Sequence, residues 1–99
     1  MYRTVILPLV KSDIKEAALW YNKQKQGLGK RFTQQVRSEV KTIRANPHAY
    51  RIRYNNVHTA IIDIFPYMIH FVIEEEQKIV LISAVLHTSQ NPDKWTTRA

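Results

Sequence analysis

The chain is expected to fold as an α+β domain in which a helical hairpin packs on one face of a mainly antiparallel, twisted sheet, in the order β-α-α-β-β-β-β. Three observations predict this. First, residues 57–87 read VHTAIIDIF, PYMIHFVI and KIVLISAVLH, divided only by Pro66 and by the turn at 74–77. Runs this rich in Ile, Val, Phe and Tyr suit a pleated, half-buried surface. Second, two upstream segments repeat apolar residues at helical spacing. Third, a short link containing Gly27 falls between those segments, so the two helices should form an antiparallel pair.

Taken in order, residues 2–7 predict a strand, ended by Pro8, which cannot donate to a ladder. Ser12 is a candidate N-cap, with Asp13 and Glu16 in the first turn, where the helix dipole favours negative charge. Ile14, Ala17, Ala18 and Tyr21 follow at i, i+3, i+4 and i+7, with Trp20 beside them, and the helix should fade near Lys25. Leu28, Phe32, Val36, Val40 and Ile43 predict a second helix over residues 28–45. Asn46 suits a left-handed cap and Pro47 cannot continue the helix. Residues 50–54 read as a short strand, and Asn55-Asn56 as a two-residue hairpin turn. After the three main strands, residues 91–95 should form a turn that returns Trp95 to the body.

The chain has 99 residues, which predicts a single domain over 1–99. Fifteen Lys and Arg against eight Asp and Glu give a formal charge of +7, which points to an anionic partner, either nucleic acid or an acidic protein. With no cysteine, neither a disulfide framework nor a thiolate metal site is available, and a cytoplasmic location fits. No apolar run approaches the roughly 20 residues of a membrane span. The first ten residues, interrupted by Pro8, read as a strand rather than a secretory signal.

The four histidines, at 48, 58, 70 and 87, lack the spacing of a helical metal pair. No phosphate-binding glycine loop or nucleophile elbow occurs, so no metal and no cofactor are expected. Glu74-Glu75-Glu76 reads as a solvated hairpin tip. Two kinds of activity remain: metal-free chemistry on RNA, or binding alone. Cleaving RNA without a metal needs the 2′-hydroxyl deprotonated, the leaving oxygen protonated and the phosphate charge offset. His87 and His58, with His70 behind them, are the candidate acids and bases. Arg51, Arg53 and Lys94 are the candidate phosphate contacts. On the second helix Lys30, Gln34, Arg37, Lys41 and Arg44 share one polar face, read either as solvated surface or as a docking face for an acidic segment.

The runs GLGKRF, NPHAY, RYNNV, FPYMIHF and AVLHTSQNPDKW resemble the RelE/ParE superfamily of small bacterial toxins. The likeness extends from the first helix to Trp95. It implies the toxin half of a type II toxin–antitoxin pair, inhibiting growth and neutralised by an antitoxin through an acidic segment. RelE-like members cut ribosome-bound mRNA without a metal, whereas ParE-like members poison DNA gyrase. A plain binding module without toxicity is the third reading. The chain departs from the family pattern at His58, Thr59 and Asp63, where relatives carry basic residues, and at Ser89-Gln90, where they often carry Arg. In the enzyme version His87 is the acid or base, Arg53 lies near the phosphate, and His58 substitutes for a permanent cation. Strand parity puts Tyr67, Ile69, Phe71 and Ile73 on the core face, and in the last strand Val80, Ile82, Ala84 and Leu86. His70, Ser83 and His87 would then share an open face, with His58 exposed beside its turn.

Overall fold

The computed structural model describes residues 1–89. The elements are β1 (Arg3–Ile6), α1 (Pro8–Gln24), α2 (Leu28–Ala45), a short 3-10 turn (Pro47–Ala49), β2 (Ile52–Tyr54), β3 (Val57–Ile61), β4 (Tyr67–Glu74) and β5 (Ile79–His87). The sheet order is β1-β5-β4-β3-β2, with β1 parallel to β5 and every other pair antiparallel. This is the expected α+β arrangement. The expected turn at 91–95 and the return of Trp95 lie outside the described residues.

Local chemistry accounts for most boundaries, with two corrections. Helix α1 begins at Pro8, not at Ser12. Proline cannot stay in the ladder, but its fixed φ suits the first helical turn, where its missing N–H is no loss. The C-cap of α2, Asn46, is not left-handed: at φ −154° its N–H donates to the Ile43 and Thr42 carbonyls, and Pro47 then opens the 3-10 turn. Asn55 takes positive φ, 47°, in the β2–β3 turn as expected.

One face of the sheet carries the main core. Phe32, Val36 and Ile43 of α2 and Val10 of α1 meet Ala60, Ile69, Phe71, Val80, Ile82 and Val85, all nearly inaccessible to solvent. Tyr21, Phe32, Phe65 and Tyr67 interlock at ring-centroid distances of 4.9 to 6.2 Å, within the range for edge-to-face attraction. The two helices approach closely at Gly29. Its N–H donates to Asn22 Oδ1 at 2.8 Å, so a side chain of α1 caps the start of α2. A Cβ at this position would overlap the Ala18 carbonyl oxygen, a backbone atom that cannot step aside. Gly29→Ala should therefore destabilise the fold by about 2 kcal/mol in urea unfolding, despite alanine's better helix propensity.

Ile64, in the β3–β4 loop, sits at φ 76°, and its side chain is 68% exposed. A β-branched residue in the left-handed region is strained. Since little packing would be lost, Ile64→Gly should stabilise the protein by about 1 kcal/mol, read as a rise in thermal midpoint.

Candidate functional site

The pairing of β4 with β5 decides where the candidate side chains go. His70 pairs with Ala84 but Phe71 pairs with Ile82, which leaves Ser83 as an extra residue in β5. Such a bulge exchanges the faces of all residues beyond it. Val80 and Ile82 stay on the helix side as the parity argument expects. Past the bulge the assignment reverses. Val85 joins the main core, whereas Ala84 and Leu86 join Met68 in a second cluster on the opposite face, with Tyr54 packed against it.

His87 is reversed with them. It pairs with Tyr67, its ring lies edge-on to the Tyr67 ring at 5.2 Å, and together with Trp20, Tyr21 and Pro66 it lines a cleft of about 550 Å³. The expectation that it shares a face with His70 therefore fails. Its Nδ1 accepts the Ser89 N–H at 3.1 Å and contacts Ser89 Oγ at 2.7 Å, so the proton of the neutral ring is on Nε2.

His58 is buried at 8% exposure, not solvent-facing. Its Nδ1–H donates to the Tyr50 carbonyl at 2.7 Å, and its ring stacks on Phe71, tilted by 14°. Pairing explains the burial: His58 opposes Phe71, a core residue of β4, so its side chain must share that residue's face.

His70 lies on the opposite face, fully buried, with Tyr54 Oη 3.0 Å from its Nδ1. Burial, with the nearby Arg53 charge, holds its pKa down at about 4. The centre of this second face is not bare as expected, since Met68, His70, Ser83, Ala84 and Leu86 are all buried. Exposed side chains on this face lie at its edges, Ile61 of β3 at 66% and Val5 of β1 at 38%.

Among the cations, Arg51 and Arg53 are exposed on and beside β2, and Arg37, Lys41 and Arg44 are exposed on α2. Arg37 and Lys41, with Lys11 of α1, rim a groove of about 430 Å³ whose floor is Ile6, Ile14, Val36 and Val40. Arg44 does not line this groove. Lys94 lies outside the described residues. The acidic hairpin tip is more engaged than expected. Glu75 accepts hydrogen bonds from Lys78 at 2.7 Å and Tyr2 at 2.5 Å and pairs with His48 at 2.5 Å, interactions that hold its pKa down at about 2. This contact ties the first strand, the 3-10 turn and the β4–β5 hairpin together. No group of three or more His, Cys, Asp or Glu that could hold a metal occurs among the described residues. No helix among them is long and apolar enough to cross a membrane.

Sequence reasoning missed two features. The helical groove was half-visible as a row of cations, but its apolar floor needs Ile6 from β1, which no local pattern brings to the helices. An opening of about 540 Å³ beside β2 and β3, lined in part by Arg51, Arg53 and Ile61, depends on where β2 stops pairing.

The fold and its exposed cations define a small basic α+β domain with two helices on a mixed five-stranded sheet, and comparison with known proteins assigns its family. The family model described as the ParE toxin of the type II toxin–antitoxin system parDE matches residues 5–92. The chain therefore belongs to the ParE toxin family and is the toxin component of a type II toxin–antitoxin system, with an antitoxin as partner. Among solved structures it is similar to one of the chromosomal ParDE system from P. aeruginosa. There the TM-score is 0.79 at 13% identity, covering 90% of this chain and 98% of that one. It is also similar to the isolated E. coli RelE toxin, with a TM-score of 0.68 at 11% identity, covering 98% and 95%. At these identities the likeness establishes the fold. No curated protein matches the sequence.

His70 yields a prediction about acid stability. Its folded pKa, about 4, lies below the ordinary 6.5, so between those values the unfolded chain takes up a proton that the folded chain refuses. Stability is then complete above pH 6.5 and falls as pH drops towards 4, by roughly 3 kcal/mol. Urea unfolding across that window should show the fall in the native protein and a flatter profile in His70→Gln.

Proposed function

We propose that this toxin inhibits its target by binding and not by cutting RNA, and that the target is DNA gyrase. One observation carries the reading: the three groups that would have to act together on a phosphodiester are dispersed. His58 is enclosed on the helix side with its Nδ1 proton given to a backbone carbonyl. His87 faces Tyr67 and the aromatic cleft. Arg53 is on the β2 edge beside His70. Metal-free cleavage needs acid, base and cation within hydrogen-bond reach of one phosphate. The absence of the family's usual cations at positions 58, 59 and 63 favours the same reading.

Expression in bacteria with mapping of mRNA ends, beside a supercoiling assay with purified gyrase, tests it. Loss of supercoiling without codon-phased cuts is the expected result. Codon-phased cuts abolished by His87→Ala would sink the binding reading and restore the RelE-like one. Action on either target fits a cytoplasmic location.

We further propose that the antitoxin docks an acidic amphipathic segment along the α1–α2 groove. Its apolar side would cover Ile6, Ile14, Val36 and Val40, and its carboxylates would meet Lys11, Arg37 and Lys41, with Arg44 adding to the field of α2. The charge of +7 favours such a partner. Reversing two rim charges with Arg37→Glu and Lys41→Glu should weaken antitoxin binding at least tenfold in calorimetry and flatten its salt dependence. An unchanged affinity would remove the groove from the interface.

A further inference from the structure

The cleft beside His87 has no part in the binding proposed above, and its walls are almost entirely aromatic. Trp20 and Tyr21 come from α1, Pro66 and Tyr67 from the entry to β4, and His87 from the end of β5. Successive rings stand steeply to one another. Trp20 meets Tyr21 at 5.0 Å and 80°, Tyr21 meets Tyr67 at 6.2 Å and 63°, and Tyr67 meets His87 at 5.2 Å and 76°. Both tyrosines also pack on the buried Phe32, at 5.4 and 5.0 Å, so the walls are anchored in the core. Trp20 is 56% exposed, and Tyr21, Tyr67 and His87 are half-buried, so each ring keeps surface to offer. The volume, about 550 Å³, falls in the range of small-molecule sites.

We infer that this cleft binds a small molecule bearing a quaternary ammonium group, of the choline type. The walls present π faces and no Lys, Arg, Asp or Glu. Burial raises the pKa of the Tyr21 and Tyr67 hydroxyls above the ordinary 10, so both rings stay neutral. The face of an aromatic ring carries negative charge density and attracts a cation within about 6 Å of its centre. A quaternary ammonium spreads its charge over methyl groups that cannot hydrogen-bond, so it leaves water more cheaply than a lysine ammonium does. Rings set at steep angles wall such a compact group on several sides. A flat nucleobase instead stacks face to face, and a nucleotide would bring a phosphate to a wall without a cation. The chain's charge of +7 opposes a cation at long range, but salt screens that repulsion. Glu16, one turn before Trp20 on the same stripe of α1, sets an exposed carboxylate nearby. The inference is independent of which target the toxin inhibits.

The test uses the full chain labelled with nitrogen-15 and three probes: choline, its neutral analogue in which a tert-butyl group replaces the trimethylammonium group, and cytidine, which is flat and has no phosphate. Choline should shift the Tyr67 amide and the Trp20 indole N–H saturably, with a Kd of about 1 mM. The indole signal is assigned by its loss in Trp20→Leu. The neutral analogue and cytidine should each bind at least about tenfold more weakly. Trp20 is exposed, so its variants should fold. Trp20→Leu keeps apolar bulk but removes a ring face, and it should weaken choline binding at least about tenfold, read from the Tyr67 amide. Trp20→Phe restores a face and should recover most of the affinity. The inference fails if choline gives no saturable shift at about 20 mM. It fails equally if the neutral analogue or cytidine binds as tightly as choline, or if Trp20→Leu binds choline as the native chain does.

Discussion

The ladder between β4 and β5, running from Tyr67↔His87 to Glu74↔Ile79, is the constraint on which the rest of the molecule depends. It joins the parallel pair, β1 with β5, to the antiparallel β3 and β4. Within it the unpaired Ser83, whose hydroxyl donates to the His70 carbonyl at 3.2 Å, reverses the facing of everything that follows. Were Ser83 itself paired with His70 in a regular ladder, Ala84 and Leu86 would turn to the main core and His87 to the face that holds His70. With the bulge, the two histidines lie on opposite sides of the sheet. A single extra residue thus decides which face of the sheet His87 occupies.

The positive charge of the chain is distributed around this frame unevenly. The helical hairpin can present Arg37 and Lys41 over an apolar groove because Gly29 lets the two helices close to backbone contact. On the other side of α2, β2 is so short that the outer edge of β3 is left partly uncovered, again beside arginines. The helical groove combines exposed cations with an apolar floor, the combination that favours an amphipathic acidic protein segment over a bare polyanion.

Much of this architecture was legible in the residues. The span of α2 is the one its apolar repeat requires, because Phe32, Val36 and Ile43 must all reach one core. The Asn55-Asn56 turn, the strand order in sequence and the one-sided helical cover follow from equally local chemistry. The start of α1 was misread because Pro8 carries two meanings: it ends a strand and it opens a helix. The Ser12 signal was genuine in type but lay inside an element already begun.

The candidate site was less legible than the fold. His58 reads as a polar residue next to a turn, yet its partner across the ladder is Phe71, and only pairing could reveal that the histidine would be stacked and buried. The groove floor needs Ile6, and the β3 edge is exposed because a strand elsewhere stops early. The sequence by itself determined the secondary elements, the fold class and the excess of positive charge, because these arise from propensity, periodicity and composition within short windows. Tertiary structure alone decided which side of the sheet each histidine occupies and where cations meet apolar surface. Those outcomes depend on register between distant strands, and a one-residue bulge leaves no local signature while inverting the result.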